Sequence, residues 1–228
     1  MKRFRVSRGM VVFFGVIAAL TAAGPATAQM FPSAQNSSVT LVTQGTPPLS
    51  MYVLPNGSGT QFSACYDATG TVVTASLVVT LRDAAGNPAI NVPASSVRLE
   101  HLSSPLAWCP GGFYPPPAHA PNMADGPSNL AGQTTFTLAY HGGGWLFGSM
   151  QVWVLEVTGA WTPIPTPVSV SFNSADITGD LVVNLTDIGL FAADYYGTYN
   201  YRSDFNSDTF VNLKDVQIMA VAVGTTCP

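Results

Sequence analysis

Charge is what this sequence has least of. Only 9% of its residues are Asp, Glu, Lys or Arg. Four of the eight basic residues, Lys2, Arg3, Arg5 and Arg8, stand at the extreme N-terminus. The rest of the chain therefore has no basic patch for nucleic acid or an anionic membrane surface. Histidine is limited to His101, His119 and His141. They form no i, i+4 pair and have no cysteine at ligand spacing, which removes the usual zinc patterns. A Gly-x-Ser-x-Gly elbow is missing too. The run His141-Gly142-Gly143-Gly144, which in hydrolases donates oxyanion-hole N–H groups, thus lacks its catalytic context, and we read it as a glycine-rich hairpin turn.

Cysteine is also scarce, with Cys65, Cys109 and Cys227. Three pairings are open. In an oxidising compartment we expect Cys65–Cys109, both within one β-rich region, leaving Cys227 single.

Long apolar runs are confined to the N-terminus. A basic segment is followed by the apolar stretch from Met10 to Ala23 and by Ala26-Thr27-Ala28 ahead of Gln29. This is the order of a secretory signal with its cleavage site. The apolar stretch is shorter than the roughly 18–20 residues that span a bilayer, and no cysteine stands at the cleavage point for a lipid anchor. The expectation is a signal peptide over 1–28, a loose leader over 29–36, and a bacterial protein that is secreted, extracellular or on the cell surface, without membrane insertion after cleavage. The exported chain keeps four basic and twelve acidic groups, a formal −8.

What the chain has in quantity is Gly, Pro, Val, Thr and Ala, arranged in short alternating runs. Val39 and Leu41, Gln61 to Tyr66, Val73 to Leu81, Val97 and Leu99, Phe136 to Tyr140, Met150 to Val157, and Val168 to Phe172 each read as strands. Seven or eight short antiparallel strands over 37–172 predict an immunoglobulin-like β-sandwich. Two segments carry a closer likeness. Val79-Thr-Leu-Arg-Asp83-Ala-Ala-Gly86-Asn87-Pro88 with Val92-Pro93, and Gly132-Gln-Thr-Thr-Phe136-Thr-Leu138, resemble the strand–turn signature of bacterial immunoglobulin-like repeats of the invasin/intimin type. That resemblance implies a spacer or adhesive module. The Pro-rich stretch from Pro110 to Pro127 departs from it and predicts a long surface loop.

Catalytic carboxylates are thin in this region. Of Asp67, Asp83, Glu100, Asp125 and Glu156, turn chemistry accounts for Asp83 and Asp125, and nothing in the sequence pairs Glu100 with Glu156 for glycoside hydrolysis. Trp108, Phe113 and Tyr114 could stack on sugar rings, although packing over loop hydrophobes is the commoner use of such residues. Trp153 reads as core. Tyr195, Tyr196, Tyr199 and Tyr201 read as covering surface that could also anchor a partner.

The remaining seven acids fall between Asp176 and Asp215, in two copies of one pattern. The first places Asp176, Thr178, Asp180, Asn184 and Asp187 at loop positions 1, 3, 5, 9 and 12. The second places Asp204, Asn206, Asp208, Asn212 and Asp215 there. Calcium takes six to eight oxygen ligands, and this spacing wraps a short loop around it, with the position-7 carbonyls of Val182 and Phe210 completing each shell. Each loop gathers three carboxylates, whose repulsion a divalent ion would relieve, so binding and folding should be coupled. Two apolar stripes follow in register, Ile188, Phe191, Ala192 and Tyr195, then Val216, Met219, Ala220 and Val223. Each predicts one face of a helix.

In these residues the chain resembles a type I dockerin module, in which two loop–helix units face each other. The resemblance covers 173–228. It implies two Ca²⁺ ions, attachment to a cohesin-like protein or cell-surface scaffold, and recognition through Leu185, Thr186, Gly189, Leu213, Lys214 and Gln217. Dockerins often deliver polysaccharide-degrading enzymes, so a carbohydrate-active protein that binds or cleaves polysaccharide is the rival reading. A purely structural calcium pair is the third. Two departures from the pattern bear on the loops. Position 6, usually Gly, is Leu181 and Thr209, which predicts strain or a changed turn. Position 3 of the first loop is Thr178, so the second loop should bind more tightly.

Overall fold

The computed structural model describes residues 31–101, 105–110 and 122–228. The expected signal peptide, positions 29 and 30, Phe113, Tyr114, His119 and most of the Pro-rich stretch lie outside them. The described chain is mainly β with two helices at its C-terminal end. In chain order the strands are β1 (Ser38–Thr43), β2 (Leu49–Val53), β3 (Cys65–Tyr66), β4 (Val72–Val73), β5 (Ala75–Thr80) and β6 (Val97–Glu100). They continue with β7 (Ala107–Trp108), β8 (Gln133–Phe136), β9 (Gly142–Gly143), β10 (Gln151–Leu155), β11 (Trp161–Pro163) and β12 (Val170–Ser174). The helices are α1 (Leu185–Tyr195) and α2 (Leu213–Ala222).

Alternation governs the sheets as the sequence predicts. Leu77, Val79 and Leu81 are fully buried, and β5 pairs antiparallel with β1 and β8, setting Leu77 opposite Leu41 and Phe136. β10 lies between β11 and β6. It turns Val152 and Val154 inward and leaves Trp153 half-buried on the other face, so Trp153 is not core.

The sheet that positions the helices follows the order β12-β2-β3-β4. β2 and β12 run parallel, Phe172 beside Met51, which departs from the all-antiparallel expectation. Every residue of both strands is buried, because this sheet has a core on each side. Leu49, Met51, Val53, Val170 and Phe172 enter the large β-cluster. Tyr52, Leu54 and Ala175 join Ile177, Val183, Phe191, Phe205, Met219 and Ala222 in a second cluster under the helices. Period-2 geometry sends neighbouring residues of one strand into two different cores. β2 reads poorly as an amphipathic strand for that reason. β12 also passes through the 172/173 boundary and ends two residues before Asp176.

Several local expectations need correction. The leader is not loose where it is described: Ala34 is fully buried, Ser33 N–H donates to the Arg82 carbonyl and Ala34 N–H to Glu156. Gln61 to Tyr66 is mostly a 3-10 turn (Phe62–Ala64), with only Cys65–Tyr66 in a strand. The Phe136 strand ends at Phe136, and Leu138 is exposed. Gly142 and Gly143 form no hairpin turn. They are β9, paired with β7.

The disulfide joins Cys109 to Cys227, whose Cα atoms lie 5.8 Å apart, and not Cys65 to Cys109. Cys65 points from β3 into the β-core, its Sγ near the Val73 carbonyl. Cys109 follows β7, on the side where the C-terminal tail returns to pair Thr226 with Val182.

Candidate metal centre

The two loops share one backbone. Position 4, Gly179 and Ser207, has φ of 73° and 55°, and position 6, Leu181 and Thr209, has φ of 69° and 67°. The expected position-6 strain is therefore real, because a side chain in the left-handed region costs roughly 1–2 kcal/mol. What enforces the curl is position 1. Asp176 Oδ2 accepts from Leu181 N–H at 2.7 Å, and Asp204 Oδ2 accepts from Thr209 N–H at 2.9 Å.

Positions 9 and 12 start the helices. Asn184 caps α1, its side chain accepting from Thr186 N–H while Asp187 accepts from Asn184 N–H. Asn212 and Asp215 do the same for α2. This reciprocal box satisfies the free amides of a helix N-terminus and sets a carboxylate at its positive end.

The loops differ in how their carboxylates gather. Oxygens of Asp176, Asp180 and Asp187 all lie within 4.8 Å of one another, Asp176 and Asp187 buried and Asp180 exposed. Among the described residues no cation forms an ion pair with any of the three. Burial pushes the Asp176 carboxyl up to about 6, and the neighbouring Asp187 charge adds to the effect. This is a site with more negative charge than its surroundings compensate.

In the second loop the corresponding three form no such group among the described residues. Asp208 turns to Lys214 Nζ at 3.2 Å and accepts from Asn206 at 2.9 Å. Although burial acts against it, these donors hold Asp208 below the usual carboxylate range. Burial raises Asp204 to about 6 and also raises Asp215. The carboxylates converge better in the first loop, whereas the residue types favour the second, which has Asn206 where the first has Thr178.

Residues outside the pattern hold the loops in place. Gly143 lies against Asp176, and Gly144 N–H donates to the Asp176 carbonyl. Asn173 Nδ2 donates to the Asp204 carbonyl, and Tyr199 OH donates to Asp204 Oδ2 at 2.9 Å. Asp194, at the end of α1, takes a two-pronged ion pair from Arg202 at 2.7 and 3.0 Å and a hydrogen bond from Ser203 at 2.6 Å. Burial opposes ionisation of Asp194, but these donors keep it below its ordinary range. The sequence signal for this pair was an acid in α1 outside the loop pattern and one of only four basic residues after the N-terminus.

The helix expectations hold for α1, where Phe191 is buried and Ile188 and Tyr195 pack against the same cluster. In α2 the buried apolar residues are Met219 and Ala222, while Ala220 and Val223 are exposed. α2 ends at Ala222, so Val223 no longer follows the helical period. The six expected recognition residues Leu185, Thr186, Gly189, Leu213, Lys214 and Gln217 are all exposed, Leu185 at 82% and Leu213 at 68%.

The remaining candidates are accounted for locally. Glu100 bonds Asn122 and Arg98, and Glu156 bonds Ala34. Asp83 closes its turn through Ala85 and Asn87 N–H groups, whereas Asp125 holds Thr135 and Thr137. Trp108 packs edge-on against Phe172 of the core. His141 Nδ1 lies 3.2 Å from the Pro55 carbonyl. No helix among the described residues is long and apolar enough to cross a membrane. Comparison with protein-family models, with curated proteins and with solved structures gives no match.

Proposed function

We propose that the protein is an exported, non-catalytic, Ca²⁺-binding attachment protein in which an immunoglobulin-like β-sandwich carries a dockerin-like loop pair. The observation that carries this reading is the duplicated loop: two segments that share one sequence pattern also share left-handed positions 4 and 6 and the same Asn–Asp capping box. Asp176, Thr178, Asp180, Asn184 and Asp187 with the Val182 carbonyl would hold one Ca²⁺. Asp204, Asn206, Asp208, Asn212 and Asp215 with the Phe210 carbonyl would hold the other. Oxygen-only ligands of this kind suit a hard cation. The ion would supply the charge that three gathered carboxylates lack.

Calorimetry on metal-stripped protein tests this. We expect two Ca²⁺ per chain, and helical circular dichroism lost in chelator and restored by Ca²⁺ but not by Mg²⁺. No heat of binding, with helicity unchanged in chelator, would sink the reading.

Docking would use Leu185 and Leu213, two exposed apolar residues at the same position of the two copies. A cohesin-like partner would cover one of them. The double variant L185D/L213D should keep its Ca²⁺ affinity and lose Ca²⁺-dependent capture by immobilised cohesin modules. The second reading, a structural calcium clasp, is favoured by the Cys109–Cys227 bond and the cluster shared with Tyr52 and Leu54. Should no cohesin module capture the wild-type chain in Ca²⁺, the clasp reading replaces docking.

A further inference from the structure

A cavity of about 470 Å³ opens where the β region meets the second loop, within the usual size range of small-ligand pockets. One wall is aromatic. Phe147 and Tyr199 are 65% and 51% exposed, and Phe147 lies 4.9 Å from the Tyr201 ring. Another wall is the loop itself, through Asp204, Ser207 and Thr209. Ser207 is nine-tenths buried and its hydroxyl is closed to solvent, whereas Thr209 is exposed.

The lining selects the ligand's chemistry. None of the described residues around the cavity is cationic, which disfavours phosphates and carboxylates. The acids offer little to a cation, because Asp67 already accepts from Thr46, Thr69 and Thr71 and Asp204 would be committed to Ca²⁺. What remains are exposed rings and neutral polar groups. A ring with an apolar face and a hydroxyl rim satisfies both.

We infer that this cavity is a binding site for a neutral sugar, stacked on Phe147 and Tyr199 beside the exposed Thr209 of the second loop. Because Asp204, Ser207 and Thr209 belong to the second loop, sugar and Ca²⁺ binding are coupled. This coupling rests on the calcium reading proposed above, whereas the pocket itself does not.

The test is titration of the full exported chain with methyl β-glucoside, methyl β-galactoside, methyl α-mannoside and xylobiose, with Ca²⁺ and in chelator, followed by calorimetry and tyrosine fluorescence. We expect saturable binding of at least one sugar in Ca²⁺. Phe147→Ala should weaken it about tenfold, the effect of one lost stacking ring. Tyr196→Ala, on an exposed ring outside the cavity, should leave it unchanged. No binding of any of the four sugars overturns the site, as does binding that survives Phe147→Ala, or a proline-rich peptide that occupies the cavity in their place. Sugar binding without any Ca²⁺ binding would overturn the coupling and the calcium reading while leaving the pocket intact. Ca²⁺ binding without sugar binding would do the reverse.

Discussion

Gly143 and Asp176 are packed so tightly that a Cβ on Gly143 would lie 1.7 Å from Asp176 Oδ2. A strand of the β region thus forms the back wall of the first loop, and the missing side chain leaves room for the Asp176 carboxylate. Gly143→Ala should drive Asp176 out of place. Ca²⁺ stoichiometry measured by calorimetry should fall from two to one while the second site keeps its affinity. Unchanged stoichiometry would show that the contact does not position the site.

The left-handed positions make an opposite prediction. Leu181 and Thr209 hold φ near +68° with side chains attached. Glycine relieves roughly 1–2 kcal/mol of strain there and gives back part of it as unfolded-chain entropy, roughly 0.5–1 kcal/mol. Leu181→Gly and Thr209→Gly should each raise the urea midpoint modestly, by up to about 1 kcal/mol of stability. A loss of stability at either position would mean that its side chain contributes more than its backbone costs.

Burial sets the pH response of the metal-free protein. Asp176 and Asp204 titrate at about 6 when folded, against 3.8 for a free aspartate. Between those values the folded state holds more protons than the unfolded one, so stability falls as pH rises. Metal-stripped protein should therefore be most stable near pH 4 and reach its lower plateau above pH 6. Ca²⁺ competes with the same protons, so its affinity should rise through that window. Urea midpoints with and without Ca²⁺ at several pH values check both slopes, and parallel slopes would refute the assignment.

The Cys109–Cys227 bond spans 118 residues. A closed loop of about 100 residues is worth about 4.7 kcal/mol in the chain-entropy picture, and measured values fall in the 2–5 kcal/mol range. Cys109→Ala or Cys227→Ala should lower the thermal midpoint by the same amount as a reductant does. Cys65→Ala should not reproduce this loss of the cross-link. Burial pushes the Cys65 thiol up to about 11, so it should resist alkylation until the protein unfolds.

The sequence carried those features that depend on spacing along one stretch of chain. Strands β5 and β6 follow alternation in both sequence and burial, β12 alternates in sequence only, and β10 comes from a run apolar on both parities. Helices α1 and α2 follow the periodic stripes and their Asn–Asp starts. Even the strain at positions 6 was readable, as the absence of glycine where a left-handed turn is needed. β2 escaped because its second buried face also carries apolar residues, Tyr52 and, just past its end, Leu54, which erases the alternation that marks a strand. The glycine run at 142–144 was read as a turn because its purpose lies about thirty residues away, at Asp176.

The sequence by itself determined the oxygen-rich loops, their register and the helices that leave them, since a loop and its helix cap close within a dozen residues. Only the tertiary structure decided which cysteines pair, which wall the loops lean on and how their carboxylates gather. Those depend on distances between residues up to 118 positions apart. The β12-β2 sheet fixes them by turning one face to the β-core and the other to the helices.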